Sequence, residues 1–247
     1  MARLEFLFTD IAAEINAVAG VADKFIARGS SKVLDGLTAD LEVIRSRPMG
    51  NYLPWLIPED LPLSTTTSHG QYDRHGARDV FAQISSIWQI EPLGDHNAAS
   101  LRHRKFALAG LASTKVRIIE GQAEAPGQEL AMWRVEIGDE RSPGCCFHVQ
   151  ILGQSEDPPF PSSVPVPRFP ALFLTPMSVL EFVLGELFQE TWRKHAARHT
   201  SPMQSWREIQ RLRLGRLLSW KAEQVNHSVG PPWTALKSAK PPPDLFL

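Results

Sequence analysis

The sequence predicts an α+β chain, and three observations predict it. Apolar residues recur at helical spacing through residues 1–47, the period changes to two through residues 79–152, and helical spacing returns through residues 175–222. The expected arrangement is an N-terminal helical hairpin, a four-stranded antiparallel meander sheet, and a C-terminal helical pair packed on the sheet. All of it is expected to lie in one domain spanning residues 1–229.

In the hairpin, Leu4, Phe8, Ile11, Ile15, Val18, Ala22 and Phe25 alternate spacings of four and three, which puts them on one stripe. Gly29 is a natural stop, and Ser30 or Ser31 can cap the next helix by accepting from a free backbone N–H. That helix carries Leu34, Leu37, Leu41 and Ile44 and ends at Pro48. Residues 48–78 are rich in Pro, Gly, Ser and Thr, and read as a long connection pinned by Tyr52, Leu53, Trp55, Leu56 and Ile57.

The meander follows from four inward-facing sets. Val80, Ala82, Ile84, Trp88 and Ile90 form the first; Phe106, Leu108, Val116 and Ile118 form the second, with Gly110 as a bulge. Ala131, Trp133, Val135 and Ile137 form the third, and Cys145, Phe147, Val149 and Ile151 the fourth. Short turns between them make neighbours antiparallel. The opposite face carries Gln83, Lys115, Arg117, Arg134, Glu136, His148 and Gln150 and is expected to be wet. Residues 153–170 hold six prolines, which excludes helix and central strand and leaves an extended connector. Thr175 with Pro176 starts one helix, burying Met177, Leu180, Val183, Leu184, Leu187 and Phe188. Ser201 with Pro202 starts another, running to about Lys221. Residues 230–247 read as a Pro-rich mobile tail.

Composition bounds the function. The chain has 247 residues, 43% hydrophobic and 21% charged, as ordinary globular proteins do, and no apolar run long enough to span a bilayer. The first residues lack a clean apolar signal core, and the only cysteines, Cys145 and Cys146, are adjacent and poorly placed to bridge. Free thiols suit a reducing interior, so a cytoplasmic protein with no membrane contact is expected.

Charge is distributed unevenly. Residues 192–221 hold eight Lys or Arg against one acid, Glu208, in a chain with 26 basic and 27 acidic residues. On a helical wheel Arg207 and Arg211 border the apolar side of the last helix, Arg216 borders it opposite, and Arg213 falls inside it. Arg213 is expected to make a cation–π contact or pair with Glu181 or Glu186. Arg193, Lys194, Arg198, Arg207, Arg211 and Arg216 are the candidate partner-binding residues, with His195 and His199 able to add charge. The expected role is a non-catalytic binding or accessory subunit that engages an acidic protein. Nucleic acid is a lesser candidate, with Arg102, Arg104 and Lys105 as extensions.

No phosphate-cradling glycine loop, nucleophile elbow or paired CxxC is present, so no cofactor is expected. The competing expectation is a divalent-metal hydrolase or nuclease on the polar sheet face. Glu136, His148 and Gln150 are its catalytic candidates, and His69, Asp73 and His75 its metal ligands. The final PDLFL resembles peptides that dock on the bacterial sliding clamp, through Asp244, Leu245 and Phe246 only; their usual leading Gln is missing.

Overall fold

The structure is a computed structural model that describes residues 3–69, 78–94, 103–110, 112–138, 145–152 and 168–247. The chain runs β1 (Glu5–Leu7), α1 (Phe8–Ala19), α2 (Ala22–Phe25), a short 3-10 turn and α3 (Ser31–Arg45). Next come β2 (Leu53–Ile57), β3 (Leu63–Ser64), β4 (Ser68–His69), β5 (Asp79–Pro92), β6 (Lys105–Leu108), β7 (Ala112–Gln122), β8 (Ala125–Ile137) and β9 (Phe147–Ile151). It closes with β10 (Arg168–Pro170), α4 (Pro176–Ala196), α5 (Ser201–Asn226) and α6 (Pro232–Ser238). The fold is thus mixed α and β, with one large antiparallel sheet.

That sheet has ten strands, not four, and the expected meander is its centre. β6 and β7 lie along one edge of β5, interrupted near Gly110, whose φ of 111° few other residues tolerate. β8 and β9 then add in order. The additional strands come from segments read as connections or helix. β2, β3 and β4 all pair with β5, bringing Trp55 opposite Trp88, and β10 pairs with β9. An unpaired strand exposes a row of N–H and C=O groups, and short Pro-flanked segments are sufficient to cover it.

β1 corrects the helical hairpin. Residues 5–7 pair with β6, so Leu4, Phe6 and Phe8 alternate inward and helix begins only at Phe8. Phe6 is fully buried and stacks on Phe106 and Phe246. The two N-terminal helices still pack on each other, and Leu34, Leu37, Leu41 and Ile44 are buried as expected.

The C-terminal pair also divides differently. α4 starts on the expected Thr175 cap, which forms a capping box with Ser178, and packs on the sheet, where Ser68 Oγ donates to the Leu187 carbonyl (2.5 Å). α4 then bends at Gln189 (φ 41°, ψ −113°), a conformation that suits glycine, and Trp192 folds back over Gly185. α5 docks mainly on α1 and reaches the sheet near its C-terminal end, where Trp220 meets the Phe147 ring edge-on. The tail is not free. α6 follows α5, Glu5 N–H donates to the Pro243 carbonyl (2.8 Å), and Phe246 is buried against Phe6 and Phe147. Leu245 and Phe246 are therefore committed to this chain's own core.

Phe246→Ala is expected to destabilise the protein by about 3–5 kcal/mol, as large core truncations do. Urea unfolding measures it; a change within error of zero would show that the tail is not held.

Candidate functional site

The six basic residues of the expected partner surface meet different fates. Arg193 pairs with Glu190 one turn back, and Arg207 donates to the Ala196 carbonyl (2.9 Å), tying α5 to the end of α4. Arg216 is half-buried near Asp10. Lys194, Arg198 and Arg211 are exposed and form no ion pair with any described residue. His195 leaves the basic set: it is buried edge-on to Phe25, and burial pushes its pKa down. Arg104 leaves the nucleic-acid set, since its guanidinium is buried and donates to the carbonyls of Arg45, Arg47, Leu93 and Gly94. Lys105 sits 3.6 Å from Glu5, and Arg102 lies outside the described residues.

The polar sheet face is not wet around β8 and β9. His148, Gln150 and Glu136 are all buried. His148 Nδ1 donates to the Cys145 carbonyl (2.8 Å), leaving Nε2 to share a proton with Glu136 Oε2 at 3.0 Å. Arg134 donates to Gln150 (2.9 Å) and stands 3.6 Å from Glu136. The His148 hydrogen bond holds the Glu136 carboxyl below its ordinary value, against burial. His69 bonds Asp79 (2.8 Å) at the far end of the sheet. Its β5 partner Asp79 precedes Val80, which faces Glu120 of β7, whereas Glu136 faces Ser113. Seven residues along β7 separate the two places by roughly 23 Å at about 3.3 Å per residue. Asp73 and His75 lie outside the described residues. Among the described residues, no group of three or more His, Cys, Asp or Glu could hold a metal ion. No described helix is long and apolar enough to cross a membrane. Both thiols are free; burial pushes Cys145 up and Cys146 to about 12.

Arg213 resolves in a way the sequence reading missed. It is 4% exposed, and its guanidinium lies 3.0 Å from Glu14 and 3.6 Å from Asp10, both on α1, rather than beside Glu181 or Glu186. It also lies 5.4 Å from the Phe6 ring. Glu14 is fully buried, and burial pushes its pKa up while the Arg213 charge opposes. Glu14 falls on the apolar stripe of α1 between Ile11, Ile15 and Val18. Opposite charges on two apolar stripes were therefore the available signal.

Beside this pair opens a cleft of about 300 Å³. Trp192, Trp206, Phe173, Met203 and Leu214 supply apolar wall, and Arg207 and Arg211 of α5 also line it. Arg213 and Glu14 line it as an ion pair, and the Trp206 indole Nε1 and the Arg213 Nε have no hydrogen-bond partner among the described residues. Glu181 lines it too, its pKa pushed up by burial against the opposing indole of Trp192. An apolar concavity with a few convergent polar groups is the usual form of a ligand site. Compared with known proteins, the chain matches no family model, no curated protein and no solved structure.

Removing one partner of a buried ion pair strands the other charge. Arg213→Met is expected to cost about 3–5 kcal/mol, and adding Glu14→Leu to recover most of that loss. Urea unfolding of the two single variants and the double variant checks it; equal destabilisation in all three would show that the charges are uncoupled. Glu136, lowered in the folded state, stabilises the fold above pH 4.5 and ceases to as the pH falls through its lowered pKa. Between about pH 5 and about pH 2 the thermal midpoint of Glu136→Gln should fall less steeply than that of the wild type. Parallel curves would rule the pair out as a source of acid sensitivity.

Proposed function

We propose that the chain is a non-catalytic binding or accessory protein that engages an acidic protein partner through the basic surface of its C-terminal helices. One observation carries this reading: Lys194, Arg198 and Arg211 are exposed and form no ion pair with any described acid, at the end of α4 and along α5. Arg193, Arg207 and Arg216 belong to the same region, but each is partly engaged within the chain. Exposed cations clustered in this way attract an acidic surface at long range, and salt weakens that attraction.

The hydrolase reading gains no comparable support. Its acid and its imidazole are spent on each other and on the Cys145 carbonyl, and His69 is bonded to Asp79 at a distance.

Affinity purification from native cells should recover an acidic protein with the wild type. Its association with the Lys194→Glu/Arg198→Glu variant should slow by roughly 10- to 1,000-fold at low salt. Recovery of the same partners by both proteins, with no salt dependence, would overturn the reading. A mobility shift with duplex DNA that disappears as salt rises would redirect it to nucleic acid.

A further inference from the structure

We propose that the cleft between α4 and α5 is a binding site for a small apolar carboxylate, an aliphatic or aromatic acid of about ten non-hydrogen atoms. The size follows from the volume of about 300 Å³, at roughly 30 Å³ per water-sized group.

The walls set the body of the ligand. Trp192, Trp206, Phe173, Met203 and Leu214 offer aromatic and aliphatic surface and almost no hydrogen bonding, so a polar ligand would lose its hydration there without replacement. The charges set its head group. Arg213 and Glu14 neutralise each other and ask for no net charge. Glu181 lines the cleft as well, a single carboxyl against two further cations. The balance at the cleft is therefore positive, carried by Arg207 and Arg211, one turn apart on α5. A carboxylate between them would complete a charge-assisted pair. The buried donors argue separately that something occupies the space. Trp206 is 1% exposed and Arg213 4%, yet the indole Nε1 and the guanidinium Nε have no hydrogen-bond acceptor among the described residues. Buried donors are rarely left so, and an oxygen carried in by a ligand would satisfy them.

The site does not depend on the acidic-partner reading. The two share Arg207 and Arg211, but Lys194 and Arg198 do not line the cleft, so variants there leave it intact.

The test titrates the full chain with octanoate, octan-1-ol and octylamine. Trp192 and Trp206 fluorescence serves as the local readout, and calorimetry gives the stoichiometry. Octanoate should bind one per chain, with octan-1-ol and octylamine each weaker. Arg211→Ala, an exposed position, should weaken octanoate about tenfold while leaving the thermal midpoint of the free protein unchanged. Gln210→Trp, which fills the cleft from its own wall, should abolish binding. Three results would overturn the proposal: no octanoate binding at millimolar concentration, which leaves the cleft to water; equal affinity for octan-1-ol, which removes the carboxylate; or octanoate binding that survives Gln210→Trp, which places it elsewhere.

Discussion

Arg213 lies on the buried stripe of α5, between Trp206, Leu217 and Trp220, where a guanidinium without counter-charge would be untenable. The α1 helix brings Glu14, equally buried, to 3.0 Å, with Asp10 following at 3.6 Å. Sliding α5 along α1 would part the two groups and strand both charges without compensation, so this contact sets a cost on any other height. From that placement comes the rest of the carboxyl-terminal architecture. α5 runs along α1 until Trp220 meets Phe147, and the chain can then return so that Phe246 closes over Phe6.

The same contact leaves the cleft behind it. α4 bends at Gln189, and its second half turns Trp192 toward Trp206, 6.0 Å away, while the segment before α4 contributes Phe173 and Thr175. With α4 bent at Gln189 and α5 tied to α1 by the ion pair, a space stays open between α4 and α5. The exposed cations Lys194, Arg198 and Arg211 and the cleft therefore have different origins: the cations sit where their helices face solvent, and the cleft is a gap in packing.

Much of the sheet was legible because the residues had only one way to alternate. Val80, Ala82, Ile84, Trp88 and Ile90 are all buried, and where a bulge was expected at Gly110 the run divides into β6 and β7. The short strands β2, β3 and β4 were hidden because pairing with a long neighbour creates them, not their own propensity. Phe6 was lost to a coincidence of periods, since Leu4 and Phe8 satisfy a spacing of four as readily as two successive steps of two. Burial of His148 and Gln150 depends on what covers that face, which alternation does not encode. Arg213 stood out on the wheel, but its counter-charge came from the other end of the chain. Pairing Arg213 with a helix about 200 positions away needs the tertiary fold, and so does recognising a space bounded by α4, α5 and α1.

The two adjacent cysteines carry a practical meaning. Their sulfurs lean on the carbonyls of Phe147 and Gly138, and desolvation keeps both protonated at neutral pH. Maleimides and other thiolate-seeking labels should pass them by. A single surface cysteine placed anywhere on this chain would then be the sole reactive handle, ready for a fluorophore or spin probe without first stripping the native pair.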